Sequence, residues 1–347
     1  MTRYRRLGGT GVKVSPLCLG TMMFGAWGNK DHDGSIAIIN RALDAGINFV
    51  DTADVYSSGE SEEIVGKALK GRRDTVVVAS KVHGRMGDDI NQRGNSRRWI
   101  MQEVDNSLRR LDTDWIDLYQ IHRPDPKTDI EETLGALTDL AHAGKIRYFG
   151  SSTYPAESIA EAQWAATRSH LGSFVTEQPP YSIFARGIET AVLPTAQRYN
   201  MGVLAWSPLN GGWLTGKYRK DHDTPEGSRM TIRRIPERFD LSLPGNARKL
   251  DLVEDLDQLA QDVGITMTQL ALAWVLEHPA VTSAIIGPRT MEQLEGNLGA
   301  DDTRLDKAVL DRIDELVPPG TNLNPSDAGY YNPWLEPTAR RRSGAAG

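Results

Sequence analysis

Gly46-Ile47-Asn48-Phe49-Val50-Asp51-Thr52-Ala53-Asp54-Val55-Tyr56 joins a short apolar run to a polar, chemically loaded end. Ile47 to Val50 has the composition of a buried strand, and the cluster Asp51-Thr52-Ala53-Asp54 terminates it. A carboxylate at the tip of an apolar strand, with a phenol five positions later, is costly unless both find partners. In α/β barrels the C-terminal strand ends are where chemistry sits. Taken alone, the stretch supports equally a chemical reading and a bland one, in which Asp51 caps the next segment and Tyr56 is a half-buried packing residue. The rest of the chain decides between the two.

Outward from this stretch the sequence alternates. Before it, Arg3 to Val14 has the pattern of a hairpin turning at Gly8-Gly9-Thr10-Gly11, Pro16 to Gly20 reads as a strand and Ser35 to Ala45 as a helix. Ile47 to Asp51 is the second strand, followed by a helix over Ser61 to Leu69, a strand over Thr75 to Ser80 and a serine-capped helix over Ser96 to Leu111. Trp115 to His122 is strand four, Ile146 to Ser151 strand five, Phe174 to Gln178 strand six and Val203 to Trp206 strand seven. The helices between them run over Ile130 to Ala143, Ala156 to Ala166 and Glu189 to Tyr199. A long insertion follows from Asn210 to Pro244. Helices resume at Arg248 to Asp262 and Thr268 to Glu277, and Thr282 to Ile286 is strand eight. Two more helices follow, Met291 to Leu298 and Lys307 to Leu316. From about Pro318 to Gly347 a Pro-, Gly- and Arg-bearing tail is expected to be partly flexible.

Eight strand–helix units with nearly continuous apolar strands call for a parallel sheet covered by helices, and eight is the closure number of a (β/α)8 TIM barrel. The expectation is an α/β fold of one barrel domain over residues 1–347, with an N-terminal β-hairpin, a long insertion after strand seven and additional C-terminal helices. A doubly wound sheet competes, but no G-x-G-x-x-G anchors a dinucleotide fold of that kind.

Bulk properties narrow the function. A net charge of −6 leaves no basic footprint for nucleic acid or an anionic membrane. No run of eighteen apolar residues is present. The opening Met-Thr-Arg-Tyr-Arg-Arg-Leu-Gly-Gly lacks the apolar core of a secretory leader, and the single Cys18 allows no internal disulfide, so a cytoplasmic protein is expected. Gly211-Gly212-Trp213-Leu214-Thr215-Gly216-Lys217 spells G-x-x-x-x-G-K, yet Tyr218 stands where a P-loop needs Ser or Thr for magnesium. It remains a glycine-rich loop whose amides and lysine suit a phosphate. The seven histidines include no H-x-x-x-H pair, so no metal is expected.

Placing the strands on a barrel gathers Asp51, Lys81 and His122 from three successive strands on one rim, with Tyr56 just past Asp51. Each has a bland reading as a loop or turn residue; together they form a constellation. An ammonium near a phenol is expected to bring its pKa down, a carboxylate to hold the ammonium, and a histidine to orient a substrate carbonyl. Such a phenol is a proton donor, and the mechanism then needs a separate hydride donor.

From Leu7 to about Leu298 the chain resembles the aldo-keto reductase family. The resemblance rests on Leu19-Gly20-Thr21-Met22, Gly46 to Tyr56, Ser80-Lys81-Val82, Asp117 to His122, Gly144-Lys145-Ile146-Arg147, Trp206-Ser207-Pro208-Leu209 and Ile286-Gly287. It implies a catalytic tetrad of Asp51, Tyr56, Lys81 and His122, with Tyr56 as acid/base. It also implies NADPH (NADP) bound extended, with Gly20, Thr21, Met22 and Asp51 alongside it. Ser152 and Gln178 would hold the nicotinamide amide and Trp206 would stack on the ring. Ser207, Pro208, Leu209, Asn210, Lys217 and Arg229 would meet the pyrophosphate side, and Gly287, Arg289, Gln293 and Asn297 the adenosine end. Trp206 is similar to the branch that includes potassium-channel β subunits, and Arg289 suits a 2′-phosphate. Relatives often show asparagine where this chain has Thr153, and some place a glutamate where it has Gly296.

The expected function is NADPH-dependent reduction of a small aldehyde or ketone. An NADPH-holding regulatory subunit with slow turnover is the alternative, and a Schiff-base aldolase using Lys81 a third reading. Aromatic residues in the loops after strands one and three (Phe24 to Trp27, His83 to Trp99) and Tyr330, Tyr331 and Trp334 read either as a substrate wall or as packed anchors.

Overall fold

Runs such as Val77–Val82 and Ile116–Ile121 are rich in β-branched residues and buried along nearly their whole length, as strands covered on both faces must be. The computed structural model describes residues 4–220, 222, 223, 226, 228–232 and 235–340. Strands β1 (Arg5–Arg6) and β2 (Lys13–Val14) pair antiparallel as the expected hairpin. The barrel strands follow: β3 (Leu17–Gly20), β4 (Phe49–Asp51), β5 (Val77–Val82), β6 (Ile116–Ile121), β7 (Ile146–Ser152), β8 (Thr176–Gln178), β9 (Gly202–Ala205) and β10 (Val281–Ile286). They close in the order β10-β3-β4-β5-β6-β7-β8-β9, and every neighbouring pair is parallel.

Helices α1 (His32–Asp44), α2 (Glu60–Ala68), α3 (Arg97–Leu111), α4 (Ile130–His142), α5 (Ala156–Arg168) and α6 (Val192–Arg198) follow the first six barrel strands in turn. After β9 come a short α7 (Arg229–Ile232), then α8 (Pro244–Asp262) and α9 (Met267–Glu277); α10 (Met291–Asn297), α11 (Lys307–Leu316) and α12 (Pro337–Arg340) follow β10. No single helix among the described residues is long and apolar enough to cross a membrane.

Two apolar clusters hold the fold. The larger lies between strands and helices; the smaller fills the barrel with Cys18, Phe49, Ala79, Leu118 and Leu204. Leu7 and Val14 of the hairpin join the smaller cluster, so the hairpin plugs the bottom of the barrel. Gly8 makes the plug possible. It adopts φ +56°, and a Cβ there would lie 2.6 Å from the backbone of both Val175 and Gly202.

The structure shifts some expected boundaries. Helix α1 starts at His32 instead of Ser35, because Asp31 accepts from the Gly34 amide at 3.0 Å and caps it earlier. The helix expected over Glu189 to Tyr199 breaks at Ala191, whose φ/ψ of −143°/−46° separates a 3₁₀ turn from α6. Pro244 opens α8 and does not close the insertion, as suits a residue with no amide to donate. The expected tail is anchored well before its end. Asp327 is fully buried, its carboxylate held by Arg238 Nε and Lys249 Nζ at 2.6 Å each, so the chain just beyond Pro318 is packed into the body of the protein. Residues 341–347 lie outside those described.

Candidate active site

Asp51 is the last residue of β4 and lies opposite Ala79 of β5. Lys81 is two residues beyond Ala79, and the two-residue period of a strand returns it to the same inner face, one step nearer the rim. Both side chains are buried. Lys81 Nζ donates to Asp51 Oδ1 at 2.5 Å, to the Thr52 carbonyl at 2.8 Å and to the Tyr56 hydroxyl at 3.3 Å, which uses all three ammonium hydrogens. The other Asp51 oxygen accepts from Gln178 Nε2 at 2.9 Å and Gln120 Nε2 at 3.3 Å. His122, just past β6, meets Tyr56 edge to face with ring centroids 5.7 Å apart. The four residues that separate strands deliver form one contiguous group.

Tyr56 is set by the turn that follows it. Ser57 and Ser58 adopt left-handed φ of 48° and 58°, and Gly59 follows at 100°. A Cβ on Gly59 would meet Arg110 Cδ at 2.5 Å, so this glycine lets the turn lie against α3. Arg110 in turn bridges Glu62 (2.6 Å) on α2 and Glu103 (2.5 Å) on α3, and Ser80, next to Lys81, donates to Glu62 at 2.5 Å. A buried ionic network therefore fixes the strand and turn that carry the lysine and the phenol.

The electrostatics correct one expectation. The pKa of Tyr56 is raised, not lowered: burial of the phenolate outweighs the nearby Lys81 ammonium, and Asp51 adds to the rise. The phenol therefore stays protonated. Burial disfavours the Lys81 ammonium too, but Asp51 and Tyr56 reverse that and hold its pKa above the ordinary range. Burial, with Arg123 and Lys81 nearby, pushes His122 well below the usual imidazole range, so its ring is neutral. The group thus comprises a protonated phenol, a fixed cation behind it and a neutral imidazole beside it.

A cavity of about 500 Å³ opens over this group, lined by Asp51, Tyr56 and His122 at one side. Of the residues that the resemblance assigns to a cofactor, Gly20, Met22, Ser152, Gln178, Trp206, Ser207, Pro208, Leu209, Lys217, Gly287, Arg289, Gln293 and Asn297 line it as well. Thr21 and Asn210 do not. The Thr21 hydroxyl is engaged with Ser61 (2.8 Å) and the Asp51 carbonyl (3.2 Å) as part of the barrel wall. Asn210 Nδ2 donates to Ser182 (3.2 Å), while its Oδ1 is buried with no hydrogen-bond partner among the described residues. The Arg229 side chain lies outside what is described. Thr153 adopts φ +61°, which an asparagine takes up more readily.

Sequence reasoning missed Met23, Arg123, Arg238, Ser326 and Gly329, which also line the cavity. The last three come from the insertion and the tail, where no periodic signal exists to place them. Arg123 had a signal: it follows His122 directly. The aromatic loop residues divide. Phe24 and Trp99 are buried anchors, whereas Trp27 lies 6.0 Å from the Tyr56 ring at the site. Tyr331 is exposed, Tyr330 lines a second, smaller cavity, and the Trp334 side chain is outside the described part.

Glu177, fully buried on β8, has its pKa pushed up to about 7 by burial, against hydrogen bonds from Ser151 (2.5 Å) and the Tyr154 amide (3.1 Å). Unfolded, a glutamate ionises near 4.3. The folded protein therefore holds the proton more tightly between about 4.3 and 7, and stability from this group falls as pH rises through that window. Glu177→Gln cannot ionise. Its melting temperature is expected to exceed that of the parent at pH 8.5 and to converge with it at pH 5; an equal difference at both pH values would contradict this.

A model of the aldo/keto reductase family matches residues 16–318. Over 325 residues the chain is 38% identical to an Arabidopsis thaliana protein named a probable voltage-gated potassium channel subunit beta, covering 91% of this chain and 96% of that one. It is 40% identical over 327 residues to the uncharacterized oxidoreductase YrpG of Bacillus subtilis (strain 168), with 91% and 96% covered. It is 39% identical over 297 residues to the aldo-keto reductase YhdN of the same strain, with 84% and 86% covered. With the match running from the first barrel strand to beyond the last, the chain belongs to the aldo/keto reductase family.

Proposed function

We propose that this protein is a cytoplasmic NADPH-dependent reductase of aldehydes or ketones, with Asp51, Tyr56, Lys81 and His122 as its catalytic residues. One observation carries the reading: a Tyr56 hydroxyl held by a buried Lys81–Asp51 pair beside the His122 ring, at the wall of a cavity large enough for small molecules. The residues present suit the cofactor. Gly287 and Gly296 line the cavity, and a Cβ on either would meet nothing within 4 Å, so bare backbone faces open space. Lys217 and Arg289 bring positive charge to the same cavity, as phosphates require. When bound, reduced nicotinamide supplies hydride to the carbonyl carbon. Tyr56 gives its proton to the carbonyl oxygen, Lys81 stabilises the phenolate left behind, Asp51 keeps Lys81 charged and in place, and His122 offers a hydrogen bond that orients the carbonyl. Consumption of NADPH against a panel of carbonyl compounds, with NADH in parallel, tests the proposal; no oxidation with any of them would overturn it.

Arg289 carries the cofactor preference in this reading, because a guanidinium pairs well with a 2′-phosphate. Arg289→Ala is expected to raise the KM for NADPH by roughly 10- to 100-fold, the worth of a charge-assisted contact, with little change for NADH. Parallel loss for both nucleotides would show that Arg289 is not the discriminator.

The relatives named as channel β subunits favour one second reading, a subunit that holds NADPH as a redox sensor and turns over slowly. It predicts at most a single fast turnover per bound nucleotide, so rapid multiple turnover excludes it. The Schiff-base reading loses ground: a covalent lysine needs a depressed pKa, and that of Lys81 is raised.

A further inference from the structure

Arg123 follows the tetrad histidine and lines the cavity with Tyr56 and His122, yet nothing in the mechanism above uses it. Its Nη1 is tied down, donating to the His122 carbonyl at 2.6 Å and to Thr153 Oγ1 at 3.1 Å. Among the described residues, no acceptor takes a proton from Nε or Nη2, and no carboxylate forms an ion pair with Arg123. Two carboxyls are near in the fold, and both are engaged elsewhere. Glu177 accepts from Ser151 and the Tyr154 amide, and Asp125 accepts from Thr128 and the Lys127 amide. The guanidinium lies 5.9 Å from the Trp206 ring centroid, a modest contact for a half-buried cation. Burial pulls its pKa down, against the opposing influence of Tyr56 and Glu177.

A half-buried arginine with its side-on pair of donors unspent is arranged to receive a planar oxyanion, since Nε and Nη2 together match the two oxygens of a carboxylate. Its place in the barrel separates it from the phosphate-bearing side. Arg123 follows β6, and β6 lies four strands from β10 in the closed order, on the far side of the barrel from Arg289. We propose that Arg123 is a specificity-determining residue and that the preferred substrates are carbonyl compounds bearing a carboxylate near the reacting carbonyl. This rests on the reductase reading and names its substrate class.

The test uses matched pairs, the formylbenzoic acids and their methyl esters, which differ only in the charge offered to Arg123. For the NADPH-loaded parent protein, kcat/KM for the best acid isomer is expected to exceed that for its ester by roughly 10- to 100-fold, mainly through KM. In Arg123→Gln the ratio is expected to collapse to about one, and in Arg123→Lys to recover in part. Circular dichroism on each variant shows whether it folds, and the lysine variant keeps the test alive if the glutamine variant does not. A second readout needs no turnover: benzoate, but not benzamide, is expected to quench tryptophan fluorescence of the NADP-loaded parent and to lose that effect in Arg123→Gln. A ratio near one in the parent, or one unchanged by Arg123→Gln, overturns the inference while leaving the reductase intact. Benzoate binding that depends on Arg123, without reduction of any acid or ester, sustains the carboxylate site and overturns the reductase.

Discussion

Tyr56→Phe is expected to lower kcat for carbonyl reduction by roughly 10²- to 10⁴-fold, the usual worth of a positioned acid. The variant removes one atom. The ring keeps its contacts with Trp27 at 6.0 Å and His122 at 5.7 Å, so the cavity should hold its shape. What disappears is the hydroxyl 3.3 Å from Lys81 Nζ, the proton donor of the proposed mechanism. Because burial raises the phenol's pKa, Tyr56 is already protonated throughout the neutral range, and the parent rate should stay nearly flat from pH 6 to 8. The loss belongs in kcat. NADPH affinity, read from fluorescence titration, should change little, since the hydroxyl enters only as the carbonyl is reduced. A variant that turns over a good aldehyde at the parent rate would mean that another group supplies the proton.

Asp51→Asn is expected to damage stability and rate together. It strands the fully buried Lys81 ammonium, and breaking one partner of a buried pair costs about 3–5 kcal/mol. An asparagine amide is also the wrong polarity for part of its surroundings, because Gln178 Nε2 and Gln120 Nε2 both donate to Asp51 Oδ2 in the parent. Without Asp51, burial, the largest influence on Lys81, is expected to take its pKa below the ordinary value. In the parent, the raised pKa contributes stability below the unfolded value near 10.4, lost only as pH rises through the folded value. In the variant the unfolded chain binds the proton more tightly, so stability is lowest near neutrality and recovers as pH rises. The gap in melting temperature should therefore narrow between pH 7 and 9.5, and a gap independent of pH would show that Lys81 is not the stranded charge. The rate should fall as well, since a lysine that gives up its proton no longer stabilises the forming phenolate.

Much of the site was legible in advance because it sits on regular elements. Asp51, Lys81 and His122 end apolar strands, and a strand's fixed period leaves little freedom in where its last residues point. Tyr56 was legible as a residue but not in its proton affinity, which is a contest between burial and the Lys81 charge. Thr21 shows the limit of position alone: it lies between two cavity-lining neighbours, yet its hydroxyl faces Ser61 in the wall. The tail shows it more strongly. Nothing periodic marks Asp327, but Arg238 and Lys249 bury it, and that anchor seats Gly329 so close to Trp206 that a Cβ would come within 2.5 Å of its ring.

The sequence by itself determined the barrel, the hairpin and the four chemical residues, because apolar period, turn residues and strand-end chemistry are local properties written along the chain. Tertiary structure alone decided which side chains face the cavity, that the phenol stays protonated, that the tail forms part of the wall, and that Arg123 reaches the site with donors to spare. Those outcomes depend on distances between residues far apart in sequence and on how completely water is excluded around them, neither of which any single stretch encodes.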